Sequence, residues 1–180
     1  MIFIPPLLAP YRLLDFISIL SYDLHGSWEK VTGHNSPLPV ALGNKEGLCS
    51  SSLQAYAMNY WRQLGVPPEK LLMGLPTYGR TFHLLKASQN ELRAQAVGPA
   101  SPGKYTKQAG FLAYYEICSF IEGMNKRWID DQYVPYAFKG KEWVGYDDAI
   151  SFSYKPIDLA KSCIYLHMTI FSISLTRELW

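Results

Sequence analysis

Cysteine is scarce in this chain: three among 180 residues, at Cys49, Cys118 and Cys163. None belongs to a Cys-x-x-Cys pair, and the four histidines show no metal-ligand spacing, so no zinc centre and no metal partner is expected. An odd count leaves at least one thiol outside any internal disulfide. The Asn-x-Ser/Thr acceptor is missing too, because Asn35-Ser36-Pro37 fails at its third position. Charge of one sign never accumulates. The 17 basic and 15 acidic residues nearly balance and form no long run, which argues against a nucleic-acid partner. Apolar runs are short as well. Cys163 to Leu175 falls well below the ~20 residues of a membrane helix. The opening MIFIPPLLAP lacks a basic start and is broken by Pro5-Pro6, so it reads as a poor signal peptide.

Aromatic residues are plentiful. The chain carries 13 Tyr, 8 Phe and 5 Trp within a hydrophobic content of 48%, enough for a folded core. Flat rings also match the apolar faces of sugars, so some of them are candidates for a carbohydrate site.

The stretch LDFISILSYDLHGSW, Leu14 to Trp28, organises the rest. Its apolar part, Leu14–Ser21, predicts a strand buried on both faces, as in a parallel sheet covered by helices. Tyr22, Asp23, His25, Ser27 and Trp28 then fall just past its C-terminal end, where parallel α/β folds gather their chemistry. Asp23 to about Ser52 is a long connection, unusual unless functional or disordered. Within it Ala41–Ser52 reads as mobile and free of chemistry. Leu53, Ala57, Tyr60, Trp61 and Leu64 recur at helical spacing, and Gly65 and Pro67-Pro68 stop the helix. Lys70–Pro76 predicts a second strand, completing a βαβ unit.

Beyond Thr81 shorter segments replace this rhythm. Gly98–Gly103 reads as a loop and Phe111–Ile121 as one short helix, with Tyr114 and Tyr115 in its core. Tyr133–Phe138 and Glu142–Tyr146 predict a hairpin turned at Gly140. Asp147 or Asp148 caps a further helix. The pairs Asp130-Asp131 and Asp147-Asp148 read as solvated loop or cap residues.

Two long motifs carry a family resemblance. SYDLHGSWEKVTGHNSPL resembles the sixth barrel strand and following loop of glycoside hydrolase family 18 chitinases and chitinase-like proteins. Leu20-Ser21-Tyr22-Asp23 stands where that family has Met-x-Tyr-Asp. GLPTYGRTF, Gly74 to Phe82, resembles the seventh strand and its exit. AGFLAYYEIC and VPYAFKGKEWVGYDD resemble a small domain inserted after that strand. The resemblance covers residues 11 to 155. It implies an α/β fold, the C-terminal part of an incomplete TIM (β/α)8 barrel with an inserted small α+β domain. Residues 1–78 would be the partial barrel from strand six to strand seven, 79–146 the inserted domain, 147–155 the start of barrel helix seven, and 156–180 a divergent tail. Such a chain is too short to close eight strands, and its open strand edges invite association. In the family the cysteine matching Cys118 pairs with one beyond the point where the likeness ends.

Family 18 enzymes hydrolyse chitin with help from the substrate's own acetamido group. Their acid is a Glu in an Asp-x-x-Asp-x-Asp-x-Glu motif, which this chain lacks, so no catalytic residue is assigned. By motif position the resemblance implies that Tyr22 and Asp23 orient the acetamido group, that Trp28 stacks on a sugar, and that Tyr78 and Arg80 line the cleft. A loop anchor is the competing role for Trp28. A salt bridge to an insertion-domain carboxylate is the competing role for Arg80. Phe111 stands where active enzymes have Met, and Gln108 where they have Glu. This is similar to secreted chitinase-like members that lack the catalytic Glu and associate with oocytes and embryos. The expectation is therefore an extracellular binding protein without cofactor, for chitin-like oligosaccharides or glycoprotein glycans, on an oocyte or embryo surface. Two other readings remain: part of an active chitinase whose acid lies upstream, and a truncated product without function.

Overall fold

The structure is a computed structural model that describes residues 13–38, 53–161 and 167–171. The expected lead-in 1–10, the Ala41–Ser52 stretch, Cys49, Cys163 and much of the 156–180 tail lie outside the described residues.

A three-stranded parallel sheet comes first. Strand β1, Ile17–Ile19, pairs in parallel with β2, Leu71–Pro76, and helix α1, Leu53–Gln63, connects them. This is the expected βαβ unit. Ile17, Ile19, Leu71, Met73 and Leu75 point to one face, where Met58, Trp61 and Val66 cover them. The Ser21 hydroxyl donates to the Gly74 carbonyl at 2.7 Å and ties the exit of β1 to β2.

The strand predicted over Leu14–Ser21 is shorter and more open than expected. Only three residues enter the ladder, and Phe16 and Leu20 are 59% and 66% exposed. β1 is the outer strand of its sheet. The helices cover the odd-numbered side, so the even-numbered apolar residues face solvent.

A six-stranded antiparallel sheet follows. It contains β3, Tyr78–Leu84; β4, Ala96–Gly98; β5, Phe111–Ala113; then, after helix α2, Tyr114–Phe120, β6, Asn125–Ile129; β7, Val134–Lys139; and β8, Glu142–Gly145. The order is β4-β3-β8-β7-β6, with β5 also paired to β3. The predicted hairpin is β7–β8. Lys139 faces Glu142 across a two-residue loop, and Gly140 at φ 58° supplies the first central position. Side chains alternate across this sheet. Phe82, Leu84, Tyr136, Phe138 and Trp143 form one core. Ala137 and Val144 turn to the other face, under Leu112 and Ile117.

Two expectations fail here. Phe111–Ile121 is not one helix, because its first three residues pair with Tyr78–Arg80 as β5 before α2 starts. Tyr114 and Tyr115 are not core. They are 43% and 44% exposed on the outer side of α2, while Glu116 and Ile117 point inward. Burial alone would raise the Glu116 carboxyl. Hydrogen bonds from Thr106, Tyr105 and Ala113 outweigh it and hold the group below its ordinary value.

Helix α3, Ala149–Lys161, is followed by strand β9, His167–Phe171, which lies parallel to β2 on the side away from β1. Asp148 caps α3, accepting from the Ser151 amide at 2.8 Å. Asp147 departs from the solvated role expected of it. It is 2% exposed and paired at 2.7 Å with Lys155, itself fully buried in the second turn of the helix. Its two carboxylate oxygens accept from Lys155, Ser151 and Ser36. The Lys155 ammonium also donates to Ser36 and lies near the Phe152 ring. Burial opposes the charge on Asp147, but Lys155, followed by His34, overrides it and lowers the carboxyl pKa.

The segment Val31–Leu38 runs between these elements as a buried strap. Thr32 bonds to Ala94 and Glu91, and Leu38 to Gln132. His34 Nδ1 accepts from the Ser36 amide at 3.0 Å, so Nε2 carries the proton and donates to the Tyr146 carbonyl at 2.8 Å. Burial, against the field of Asp147, lowers the His34 pKa to about 4.

Removing one member of the buried pair leaves the other uncompensated. Lys155→Met should cost about 3–5 kcal/mol, and Asp147→Asn in the same chain should restore part of it. Urea unfolding measures both, and an unchanged midpoint for Lys155→Met would contradict this account.

The His34 pKa is lower folded than unfolded, so unfolding takes up a proton as pH falls below its ordinary 6.5. Stability is complete above pH 6.5 and lost progressively toward pH 4, by about 3 kcal/mol. Below that, protonation of Asp147 adds to the loss. Unfolding curves at pH 7 and pH 4.5, with an NMR titration of His34, test this; equal stability at the two pH values would refute it.

Candidate functional site

The exit of β1 and the start of β3 meet beside the strap, and all five residues singled out from the sequence come together there. The Tyr22 ring lies against Gly74, where a Cβ would stand 2.7 Å from Cε1. It meets the Tyr78 ring edge-on at 5.9 Å. Asp23 takes the left-handed conformation, φ 59°, which Asp tolerates better than most residues. Its amide donates to Asn35 Oδ1 at 2.9 Å. Trp28 folds back over Gly26, leaving no room for a side chain there.

Arg80 binds Asp23, both Nη2 and Nε reaching Oδ1 at 2.7 and 2.8 Å. An insertion-domain carboxylate is therefore not its partner. The guanidinium lies 5.2 Å from the centre of the Trp28 ring, 5.4 Å from Tyr78 and 5.5 Å from Phe111, within cation–π range. Trp28 is 61% exposed. That is more open than a buried loop anchor would be.

Asn35 and Phe111 complete the site and were not singled out as site residues from the sequence. Phe111 arrives through the β3–β5 register, which sets it opposite Arg80, and its ring lies 4.8 Å from that of Tyr78. Asn35 donates from Nδ2 to the Tyr78 carbonyl at 3.3 Å. Both stood inside motifs read from the sequence, but only the fold shows which way they point.

Burial and the neighbouring Asp23 raise the pKa of both Tyr22 and Tyr78, so each keeps its proton at neutral pH as a hydrogen-bond donor. The site thus offers a carboxylate paired with a guanidinium and the exposed face of Trp28, with Tyr22 half-buried and the Tyr78 and Phe111 rings buried beside them. Among the described residues the carboxyls whose titration is displaced, Glu116 and Asp147, both move down, opposite to what a general acid at neutral pH needs. Among the described residues no group of three or more His, Cys, Asp or Glu is placed to hold a metal ion, and no helix is long and apolar enough to cross a membrane.

Residues 8–175 match the family described as Glycosyl hydrolases family 18. The chain is 83% identical over 144 residues to the oviduct-specific glycoprotein of Bos taurus and 74% identical to that of Homo sapiens, covering 80% of this chain in each case. It spans 26% of the bovine relative and 20% of the human one. Its fold is similar to that of human YKL-39, described as a pseudo-chitinase with retained chitooligosaccharide binding properties. That likeness has a TM-score of 0.77 at 46% identity, over 91% of this chain and 44% of that one. A Group IV chitinase of Ostrinia furnacalis gives a TM-score of 0.78 at 34% identity, over 91% of this chain and 45% of that one. The exit of β1 with Tyr22 and Asp23, the β3 start with Tyr78 and Arg80, and these matches agree: the chain belongs to glycosyl hydrolase family 18.

Proposed function

We propose that this chain forms one wall of a chitinase-like carbohydrate cleft and binds glycans containing N-acetylglucosamine without hydrolysing them. The observation that carries this reading is the Asp23–Arg80 pair beside the exposed Trp28 ring, with Tyr22 half-buried and Tyr78 and Phe111 buried around it, at the C-terminal end of parallel strands. A sugar ring has two apolar faces and a polar rim. Trp28 offers a face for stacking. Tyr22 and Asp23 orient an acetamido group, Asp23 accepting its N–H, while the Tyr78 hydroxyl hydrogen-bonds to the Asp23 carboxylate. The relative YKL-39, described as binding chitooligosaccharides while a pseudo-chitinase, supports recognition without turnover.

On this reading β1, β2 and β9 are an arc of an incomplete TIM barrel, and the antiparallel sheet is a domain inserted after β2. The reading extends to an extracellular glycoprotein whose partner is glycan on an oocyte or embryo surface; similarity to oviduct-specific glycoproteins supports it.

Two outcomes are expected of the purified chain. It should turn over no fluorogenic chitobioside, since protonating the leaving oxygen needs a positioned acid of raised pKa. Turnover abolished by Asp23→Asn would overturn this. In titration calorimetry with chitotetraose, Trp28→Ala should lose about 1–3 kcal/mol of binding, the scale of burying one large side chain. Equal affinity in mutant and parent would remove Trp28 from the site, and no binding by the parent would refute glycan recognition itself.

A further inference from the structure

Asp23 follows a strand of the parallel sheet and Tyr78 opens the antiparallel one, 55 residues further on, yet one side chain holds both. Asn35 is fully buried. Its Oδ1 accepts the Asp23 amide at 2.9 Å, and its Nδ2 donates to the Tyr78 carbonyl at 3.3 Å. Its own carbonyl accepts the Leu24 amide at 3.0 Å. No other amide side chain in the strap reaches this junction, and substitution by Asp would keep the acceptor but lose the donor. Its two neighbours turn the other way. His34 bonds to Tyr146, and Ser36 to Asp147 and Lys155. Asn35 is therefore seated on the most deeply buried polar cluster of the fold while it grips the cleft.

We propose that Asn35 is a positioning residue of the carbohydrate site. By holding the Asp23 amide it keeps that residue left-handed, which aims the carboxylate at Arg80, and Arg80 in turn stands against the Trp28 ring. The chain of contacts runs from Asn35 through Asp23 and Arg80 to the sugar-stacking face. The inference deepens the proposed glycan function and rests on it for the ligand, but not for the geometry.

Its test uses the full chain labelled with 5-fluorotryptophan, with the Trp28 resonance identified by its loss in Trp28→Phe. Asp23→Asn should move the Trp28 signal. Asn35→Ala should move it in the same direction, and Ser153→Ala on the exposed side of α3 should leave it in place. For chitotetraose, Asn35→Ala should lose about tenfold in affinity, the equivalent of roughly one hydrogen bond. A merely structural role for Asn35 would lower the melting temperature and leave the Trp28 signal and the affinity unchanged, and that result overturns the proposal. If Asn35→Ala does not fold, the parent decides. Its Asp23 amide should exchange slowly although the residue is exposed, and should show a scalar coupling to the Asn35 side-chain carbonyl; rapid exchange without coupling refutes the hold. If the parent binds no chitotetraose, the glycan reading falls, while the Trp28 signal and the Asp23 amide still decide the role of Asn35.

Discussion

A lysine ammonium and an aspartate carboxylate share a site that excludes water, and three separate stretches of chain are registered on them. Burying two charges is expensive, and their attraction offsets the cost only when every remaining lone pair and proton is used. Here both are nearly used up. Asp147 takes Lys155, Ser151 and Ser36, and Lys155 gives to Asp147 and Ser36. Those residues come from the exit of β8, the first turns of α3 and the strap. None of the three can slide along another without stranding a charge. The pair thus contributes more to register than to net stability, which hydrophobic packing of the same volume would supply as well.

The proposed carbohydrate site inherits that register. The chain passes Asp23 after the parallel strand β1, and the strap that follows is fixed at Thr32, His34, Ser36 and Leu38 to segments flanking the antiparallel strands. Asn35, lying between two anchored residues, has little freedom of its own. Asp23 is consequently presented to Arg80 by a backbone held from behind, and the rings of Trp28, Tyr78 and Phe111 surround a guanidinium already committed to one carboxylate oxygen. A preformed polar pair costs little reorganisation when a ligand arrives, which favours recognition.

Much of this was legible in the sequence where a local signal had one physical meaning. Helix α1 ends at Gln63, just before the left-handed Gly65 and Pro67-Pro68, the β7–β8 turn needed Gly140, and Tyr22, Asp23, Trp28, Tyr78 and Arg80 lie together. Signals with two meanings misled. Asp147-Asp148 looks the same whether solvated or buried, since burial depends on a lysine seven to eight positions on and a serine more than a hundred residues back. Phe111–Ile121 carries helical spacing throughout, yet its first three residues complete a ladder with β3 that no local pattern announces. Tyr114 and Tyr115 read as core rather than ligand contacts, whereas the N-terminus of α2 is oriented by Glu116, whose carboxylate must face the Tyr105 and Thr106 amides.

The same distinction explains the open side of β1. An apolar run without alternation signals cover on both faces, and the sequence there reads Leu-Asp-Phe-Ile-Ser-Ile-Leu. The odd-numbered residues Ile17 and Ile19 meet α1 and α3, as the pattern demands. The even-numbered Phe16 and Leu20 meet nothing comparable and remain exposed. Composition thus specifies a two-sided strand, and the described residues supply one side. The solved relatives are more than twice the length this chain covers, and a closed (β/α)8 barrel surrounds each strand with two neighbours and a filled interior. The apolar character of Phe16 and Leu20 fits the barrel interior proposed for them. The proposed glycan wall, by contrast, depends on contacts made by the exit of β1, β3, β5 and the strap, all of them within the described residues.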